Sequence, residues 1–279
     1  PSSNSPILSE NVQSLAYNAN EKILYIGTGA GLMTYRDSDT EGGTYTDREN
    51  EGKDITYGSM KGWTTYFSYN NISDIEESEN SIYCIADGAM IIINKVSESI
   101  EPQSKLTGLN GSSIVAARYN KQNKKTLLLY QDGLIDIRMD DGEINNMPDL
   151  FLKIRMTPSE FYSTYSYKNN VYICSQLGII CVDMKRHEIA ETYALQDNGK
   201  DVIVRRVCVN GDSIYAATET QIYSASLKDN LVDYTHWNKM TLPSTGDIKN
   251  FGCTGDGIYL HIRSKLYHYS QGKWTPVMS

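Results

Sequence analysis

The sequence predicts an all-β fold: a β-propeller of six blades, with seven as the alternative count, and about four antiparallel strands per blade. Three observations predict it. A unit of three short apolar strands recurs six times along the chain. From the second unit onward the starts fall at residues 72, 114, 161, 204 and 248, in steps of 42, 47, 43 and 44. Within the units apolar residues alternate at period 2, and turns such as Asn210-Gly211-Asp212, Asp140-Asp141-Gly142 and Gly255-Asp256-Gly257 break them up. A period of about 40–45 residues with three or four strands per unit is that of a propeller blade. A helical repeat of that length would instead place apolar residues at i, i+3 and i+4.

The first unit runs through Val12–Tyr17, Ile23–Ile26 and Gly31–Tyr35. The second has Ile72–Ile75, Ser81–Ile85 and Met90–Ile93, and the third Ile114–Tyr119, Thr126–Tyr130 and Gly133–Ile137. The fourth has Phe161–Tyr165, Val171–Cys174 and Gly178–Asp183, and the fifth Val204–Val209, Ser213–Ala217 and Gln221–Tyr223. The sixth has Ile248–Cys253, Gly257–Leu260 and Lys265–Tyr269. A fourth, outer strand follows several units, at Ile144–Met147, Glu188–Tyr193, Tyr234–Met240 and Lys273–Met278; Gly62–Phe67 reads as the same element for the first. Trp63, Trp237 and Trp274 lie in such strands, where an indole covers the blade edge and packs on the next blade.

The step from the first unit to the second is longer. Its excess, from Asp37 to Lys61, is rich in Gly, Thr, Asp and Glu and reads as a flexible linker or junction. The expected organisation is a first blade segment at 1–36, the linker at 37–61, and the remaining blades of the same propeller at 62–279.

Composition removes several function classes. The net charge is −8, from 26 Lys and Arg against 34 Asp and Glu, so no basic footprint for nucleic acid exists. No apolar run approaches the length of a transmembrane helix. Pro1-Ser2-Ser3-Asn4-Ser5-Pro6 lacks the charged and apolar regions of a secretory signal, so export implies a signal already removed. The 21 tyrosines fit half-buried strand surfaces, and could also stack on sugars. Cys84, Cys174, Cys181, Cys208 and Cys253 form no metal-ligand spacing. They read as buried free thiols, with no disulfide framework expected.

Candidate chemistry is sparse. Asp37, Asp39 and Glu41 with Gly42 open like a calcium loop, but position 12 is Arg48, so an acidic linker is the better reading. Asp140-Asp141-Gly142-Glu143 has hairpin-turn chemistry. His187, His236, His261 and His268 are scattered, and only His261 and His268 share a hairpin, which is too few ligands for zinc. Lys121, Lys124 and Lys125 make one basic turn, read as a solvated hairpin. No nucleophile elbow, Walker loop or His-Glu-x-x-His motif occurs. The residues therefore predict no catalytic set, no cofactor and no metal, and a binding or scaffolding module rather than an enzyme. Carboxylate pairs drawn from different blades leave a lyase or glycosidase as a third class.

Two stretches carry a resemblance. Residues 62–200 resemble the amino-terminal propeller of PorZ-type proteins, surface components associated with the type IX secretion system of Bacteroidetes. The matching residues are Gly62-Trp63-Thr64-Thr65-Tyr66, Ser104-Lys105-Leu106-Thr107-Gly108-Leu109, Tyr130-Gln131-Asp132-Gly133-Leu134-Ile135-Asp136, Met147-Pro148-Asp149-Leu150 and Leu177-Gly178-Ile179-Ile180. The second stretch, Gly27-Thr28-Gly29-Ala30-Gly31-Leu32-Met33-Thr34-Tyr35, has the form of the two-component-regulator propeller repeat. In PorZ-like chains such a blade comes late, whereas here it precedes the Gly-Trp-x-x-Tyr start. A late segment that returns to close the first propeller, or a permuted arrangement, accounts for that order.

The resemblance implies a non-catalytic platform in a surface attachment complex. The implied partners are a PorU-like sortase, PorV- and PorQ-like outer-membrane proteins, and lipopolysaccharide or another glycan. The implied location is the cell surface, outer membrane or periplasm, and no ligand residue carries over. The alternative is a periplasmic oligosaccharide-sensing propeller of a hybrid two-component system. Its Gly-Thr-x-x-Gly-Leu motif occurs once here, where a sensor would repeat it.

Overall fold

The computed structural model describes residues 12–28, 31–36, 43–46, 63–67, 71–154 and 160–278. They form two compact units, Pro1–Met156 and Thr157–Ser279. Each unit holds three sheets of blade type.

In the first unit, β1 (Val12–Asn18), β2 (Ile23–Thr28) and β3 (Gly31–Arg36) make an antiparallel meander. β4 (Gly43–Thr46) and β5 (Trp63–Phe67) complete that sheet in the order β1-β2-β3-β5-β4, with β4 parallel to β5. β4 lies inside the stretch expected to be a flexible linker; Asp37–Gly42, with the calcium-like opening, lies outside the described residues. The second sheet is β6 (Ile72–Glu77), β7 (Ser81–Ala86), β8 (Ala89–Asn94) and β9 (Ile100–Gln103). The third is β10 (Ile114–Asn120), β11 (Lys125–Tyr130), β12 (Ile135–Met139) and β13 (Ile144–Met147). A short helix, α1 (Asp149–Ile154), follows and buries Leu150.

The second unit repeats the plan. Its first sheet is β14 (Phe161–Tyr167), β15 (Asn170–Ser175), β16 (Gly178–Asp183) and β17 (Glu188–Tyr193). A small ribbon, β18 (Leu195–Asp197) with β19 (Lys200–Val202), turns through Asn198 and Gly199, both at positive φ. Then come β20 (Arg206–Asn210), β21 (Ser213–Ala217), β22 (Ile222–Ser226) and β23 (Asn238–Lys239). The last sheet is β24 (Ile248–Thr254), β25 (Gly257–Ile262), β26 (Lys265–Ser270) and β27 (Lys273–Met278). Six four- or five-stranded antiparallel-built sheets of this order are the blades of a β-propeller.

The burial pattern follows from stacking sheets face to face. The middle strands β8, β11, β15 and β16 are buried at nearly every position, on both faces. A strand covered on both sides loses strict alternation and becomes a continuous apolar run, as Thr126-Leu127-Leu128-Leu129-Tyr130 is. First strands are more exposed, and five of the six carry the same irregularity. Their pairing register shifts two residues in, at Val12/Ser14, Ile72/Asp74, Ile114/Ala116, Phe161/Ser163 and Ile248/Asn250. A bulge there bends the strand and sharpens its twist. Five of the six repeat starts visible in the sequence are these bulged residues, Val204 being the exception.

One glycine is fixed by a close approach. Gly178 has φ 109°, and a Cβ on it would lie 2.2 Å from the Tyr193 carbonyl oxygen. The turn from β15 to β16 therefore admits no side chain at that position.

Trp63 packs against a cluster of Ile26, Met33 and Ala89, the last on the following sheet, whereas Trp237 and Trp274 reach back. Trp237 donates its indole N–H to the Leu231 carbonyl at 3.0 Å, and its ring lies 6.3 Å from that of Tyr193, on the preceding sheet. Trp274 donates to the Thr241 carbonyl at 2.9 Å, also ahead of its own sheet in the chain. The stretch expected as strand Tyr234–Met240 begins instead with a 3-10 turn at Tyr234–His236, capped by Asp233, and only Asn238–Lys239 pairs.

Candidate functional site

The first strands of neighbouring sheets approach each other with no shared backbone ladder, so side chains must satisfy their edges. In the second unit they do so through hydroxyls. Ser163 donates to the Arg205 carbonyl at 2.8 Å, Tyr165 to Val209 at 3.3 Å and Tyr167 to Gly211 at 3.3 Å. Asn210 Nδ2 donates to the Thr254 carbonyl at 2.7 Å. The paired residues stand 42 to 44 apart, which is the sequence period. The tyrosine-rich run Phe161-Tyr162-Ser163-Thr164-Tyr165-Ser166-Tyr167 thus has a structural reason: three of its hydroxyls cap carbonyls on β20 or directly flanking it.

In the first unit the link is ionic. Arg118 on β10 pairs with Glu76 and lies 3.5 Å from Asp74, both on β6, and Asp74 accepts the Ala117 N–H at 3.1 Å. Burial pushes the Glu76 carboxyl up, against the pull of Arg118. Lys124, from the basic turn, pairs with Glu79 at 3.1 Å, so the turn is partly neutralised.

A buried carboxylate explains much of the motif-bearing region. Asp136 is fully buried and accepts four hydrogen bonds. They come from the Asn110 backbone N–H and side chain, both at 2.9 Å, from Tyr130 Oη at 2.7 Å and from Asn146 Nδ2 at 3.0 Å. Burial, with Asp136 beside it, pushes the Tyr130 hydroxyl well up, so it stays a donor. A Cβ on Gly111 would meet the Tyr130 ring at 2.5 Å. The turn Ser104–Leu109 is closed by a capping box between Ser104 and Thr107, with Gly108 at φ 102°. The residues 104–109 and 130–136 noted in the sequence are therefore one scaffold: a carboxylate that ties the 104–111 turn onto β11, β12 and β13.

Two cavities lined by described residues of the second unit bear on function. One, of about 610 Å³, sits on the last sheet, lined by Phe251, Tyr259, His261 and Leu266 among others. His268 neighbours it in the strand register, stacked on Tyr259 at 4.6 Å. His261 and His268 thus share the sheet, His187 lies at a turn with positive φ, and His236 Nδ1 meets the Asn230 carbonyl at 2.9 Å. Among the described residues no three His, Cys, Asp or Glu side chains are grouped to hold a metal.

The other cavity, of about 350 Å³, opens at one end of β14 and β20. Its walls include Phe161, Tyr162, Arg205, Arg206 and Glu219. The Arg205 guanidinium lies 4.0 Å from the centre of the Tyr162 ring and 2.8 Å from Glu219. Tyr162 donates to Glu160 at 3.2 Å. Arg206 is half-buried, and its guanidinium makes no hydrogen bond or ion pair with any described residue. Sequence reading missed this cavity because Arg205-Arg206 and Phe161-Tyr162 are one repeat apart and each looks like ordinary strand.

The cysteine expectation needs correction. Cys208 and Cys253 form a disulfide, with Cα atoms 5.7 Å apart and a sequence separation of 45. Cys84, Cys174 and Cys181 are buried free thiols. The missed signal is positional. Both cysteines lie in the first strand of consecutive repeats, one period apart, where first strands touch.

The fold and these contacts define a β-propeller held together strand-to-strand by side chains, with ligand-sized cavities on its sheets. Residues 82–238 match the family described as the N-terminal β-propeller domain of PorZ, of the type IX secretion system. The chain belongs to that family. Among solved structures it is similar to PorZ of Porphyromonas gingivalis, described as an essential bacterial surface component of the type-IX secretion system. The two share 22% identity over 75% of this chain at TM-score 0.68, and the match spans 28% of the PorZ chain. It is also similar to the extracellular domain of the putative hybrid two-component system BT4673 of B. thetaiotaomicron. There the identity is 14% over 96% of this chain and 33% of that one, at TM-score 0.54. The β-propeller domain of Myceliophteria thermophila Cps50 (Swd1) gives 10% identity over 98% of this chain and 87% of that one, at TM-score 0.51. No curated protein sequence matches the chain significantly. No helix among the described residues is long and apolar enough to cross a membrane.

Proposed function

We propose that this chain is a non-catalytic β-propeller platform of a PorZ-like surface protein. It supports attachment of type IX secretion cargo through contacts with partner proteins, with lipopolysaccharide, or with both. The observation that carries the reading is the family match over residues 82–238. The proposed partners are a PorU-like sortase and PorV- and PorQ-like outer-membrane proteins. The proposed location is outside the cytoplasm, at the cell surface or in the periplasm. The Cys208–Cys253 disulfide supports that location, because such bonds persist in oxidising compartments. Residues 1–36 are proposed as a first blade segment, 37–61 as its junction and 62–279 as the remaining blades of the same propeller.

The test is a pull-down from outer-membrane extract of the source cells with the tagged chain as bait. Mass spectrometry and lipopolysaccharide staining read the eluate. Recovery of a sortase-like protease, its outer-membrane partners or lipopolysaccharide supports the platform; a clean blank removes it. The oligosaccharide-sensor reading then moves up, supported by the fold-level likeness to the BT4673 extracellular domain.

A further inference from the structure

We propose that the cavity at β14 and β20 binds a carboxylate carried on a sugar ring, a uronate residue, with Arg206 as its anion partner. The proposal rests on the platform reading for the source of the ligand and on the cavity for its chemistry. Arg205 and Arg206 are adjacent, yet differ in what they hold. Arg205 is seated on Tyr162 and paired with Glu219. Arg206 is half out of water, and its charge is felt by the buried Cys174 thiol, but it has no partner among the described residues. A guanidinium drawn partly from water without an acceptor is unfavourable, and its planar fork fits a carboxylate with two parallel hydrogen bonds.

The walls choose what carries the carboxylate. Phe161 is a half-buried aromatic ring, and an aromatic face accepts the C–H side of a pyranose, while Tyr162 beside it holds Arg205 on its own ring. Glu219 keeps 70% of its side chain exposed and can accept a sugar hydroxyl beside Arg205. The negative charges of Glu219 and Glu160 flank a single unpaired cation, which favours a monoanion over a phosphate dianion. A volume of about 350 Å³ is at the small end of ligand pockets, suited to one ring and not to a chain held lengthwise.

The test is side-chain NMR on the full chain, following the arginine Nε resonances while sodium glucuronate is added near pH 7. The Arg206 resonance should shift saturably, with dissociation in the millimolar range or tighter. Glucose, which lacks the anion, and acetate, which lacks the ring, should each bind at least tenfold more weakly. Arg206→Ala should lower glucuronate affinity at least tenfold. Arg206→Lys, which keeps the stem and charge but not the fork, should lower it at least threefold and guards against a folding defect. No saturable shift at about 50 mM glucuronate overturns the proposal. So does equal binding of glucose or acetate, tighter binding of inorganic phosphate, or affinity unmoved by both variants. The two readings fail separately: partners recovered from extract without glucuronate binding sink only the pocket, and glucuronate binding with a blank pull-down sinks only the platform.

Discussion

Breaking the Cys208–Cys253 bond should cost the folded protein about 4 kcal/mol. The bond closes a separation of 45 residues. Chain entropy then restricts the unfolded state by about 13 cal/mol/K, which is about 4 kcal/mol at 25 °C. For a protein of this size that is a fall in melting temperature of roughly 7 °C. The assay is a thermal melt followed by circular dichroism on three samples: the oxidised chain, the chain with reductant, and a Cys208→Ser/Cys253→Ser double variant. Thiol titration in denaturant accompanies it and should find Cys84, Cys174 and Cys181 alone before reduction. In the folded chain Cys174 and Cys181 should react very slowly, because burial pushes their thiols up to about 12 and about 11. Five titratable thiols in the unreduced chain, or a melt unchanged by reductant, would refute the pairing and with it the registration of β20 beside β24.

Asp136→Ala should cost at least about 3 kcal/mol in urea denaturation, because it strands the donors of Tyr130, Asn110 and Asn146 in a buried site; a loss under about 1 kcal/mol would refute the scaffold role. Glu76→Gln should gain on the wild type as pH rises. Burial raises the folded Glu76 carboxyl above its usual 4.5, so its contribution is fully present below the unfolded value and is lost as pH climbs through the folded one; stability curves with the opposite slope would count against it. Tyr165→Phe should cost about 1 kcal/mol and Tyr167→Phe close to nothing, since water can replace the hydroxyl only at the Tyr167 hydrogen bond, which is exposed while that of Tyr165 is part-buried. Equal losses would mean that carbonyl capping is not what holds β14 to β20.

The strand frame was legible because period-2 alternation and turn residues are local. Val171–Cys174 and Gly178–Asp183 read as strands on their own, and they are β15 and β16 within a residue. The bulge at the head of five of the six repeats leaves a trace in the sequence: the repeat starts at Ile72, Ile114, Phe161 and Ile248 are where the register shifts. What depends on one repeat meeting the next was not legible. Cys208 looked like a small hydrophobe in Val207-Cys208-Val209 until Cys253 was placed beside it. Short elements outside the repeat, α1 and the ribbon of β18 and β19, carry too few residues to show a period. The outer strand β9, Ile100–Gln103, was hidden by Pro102, which an edge strand tolerates.

The same geometry explains why function is hard to read from such a chain. Within a blade the backbone ladder fixes the strands, and sequence enters mainly as apolar content. Between first strands the backbone groups have no ladder partner, and the side chains that bridge them are free to differ: Ser163, Tyr165 and Tyr167 donate to carbonyls in one unit, whereas in the other Asp74 accepts a backbone N–H and Glu76 pairs with Arg118. Arg205 shows how the two duties separate. Its carbonyl is tied to Ser163 and helps lock the strands, while its guanidinium faces Tyr162 and the cavity. Substitution of that side chain can change what the cavity binds without loosening the strand that carries it. Ligand chemistry in this propeller is therefore expected to vary at the first-strand positions, where a repeat-based reading sees only another strand.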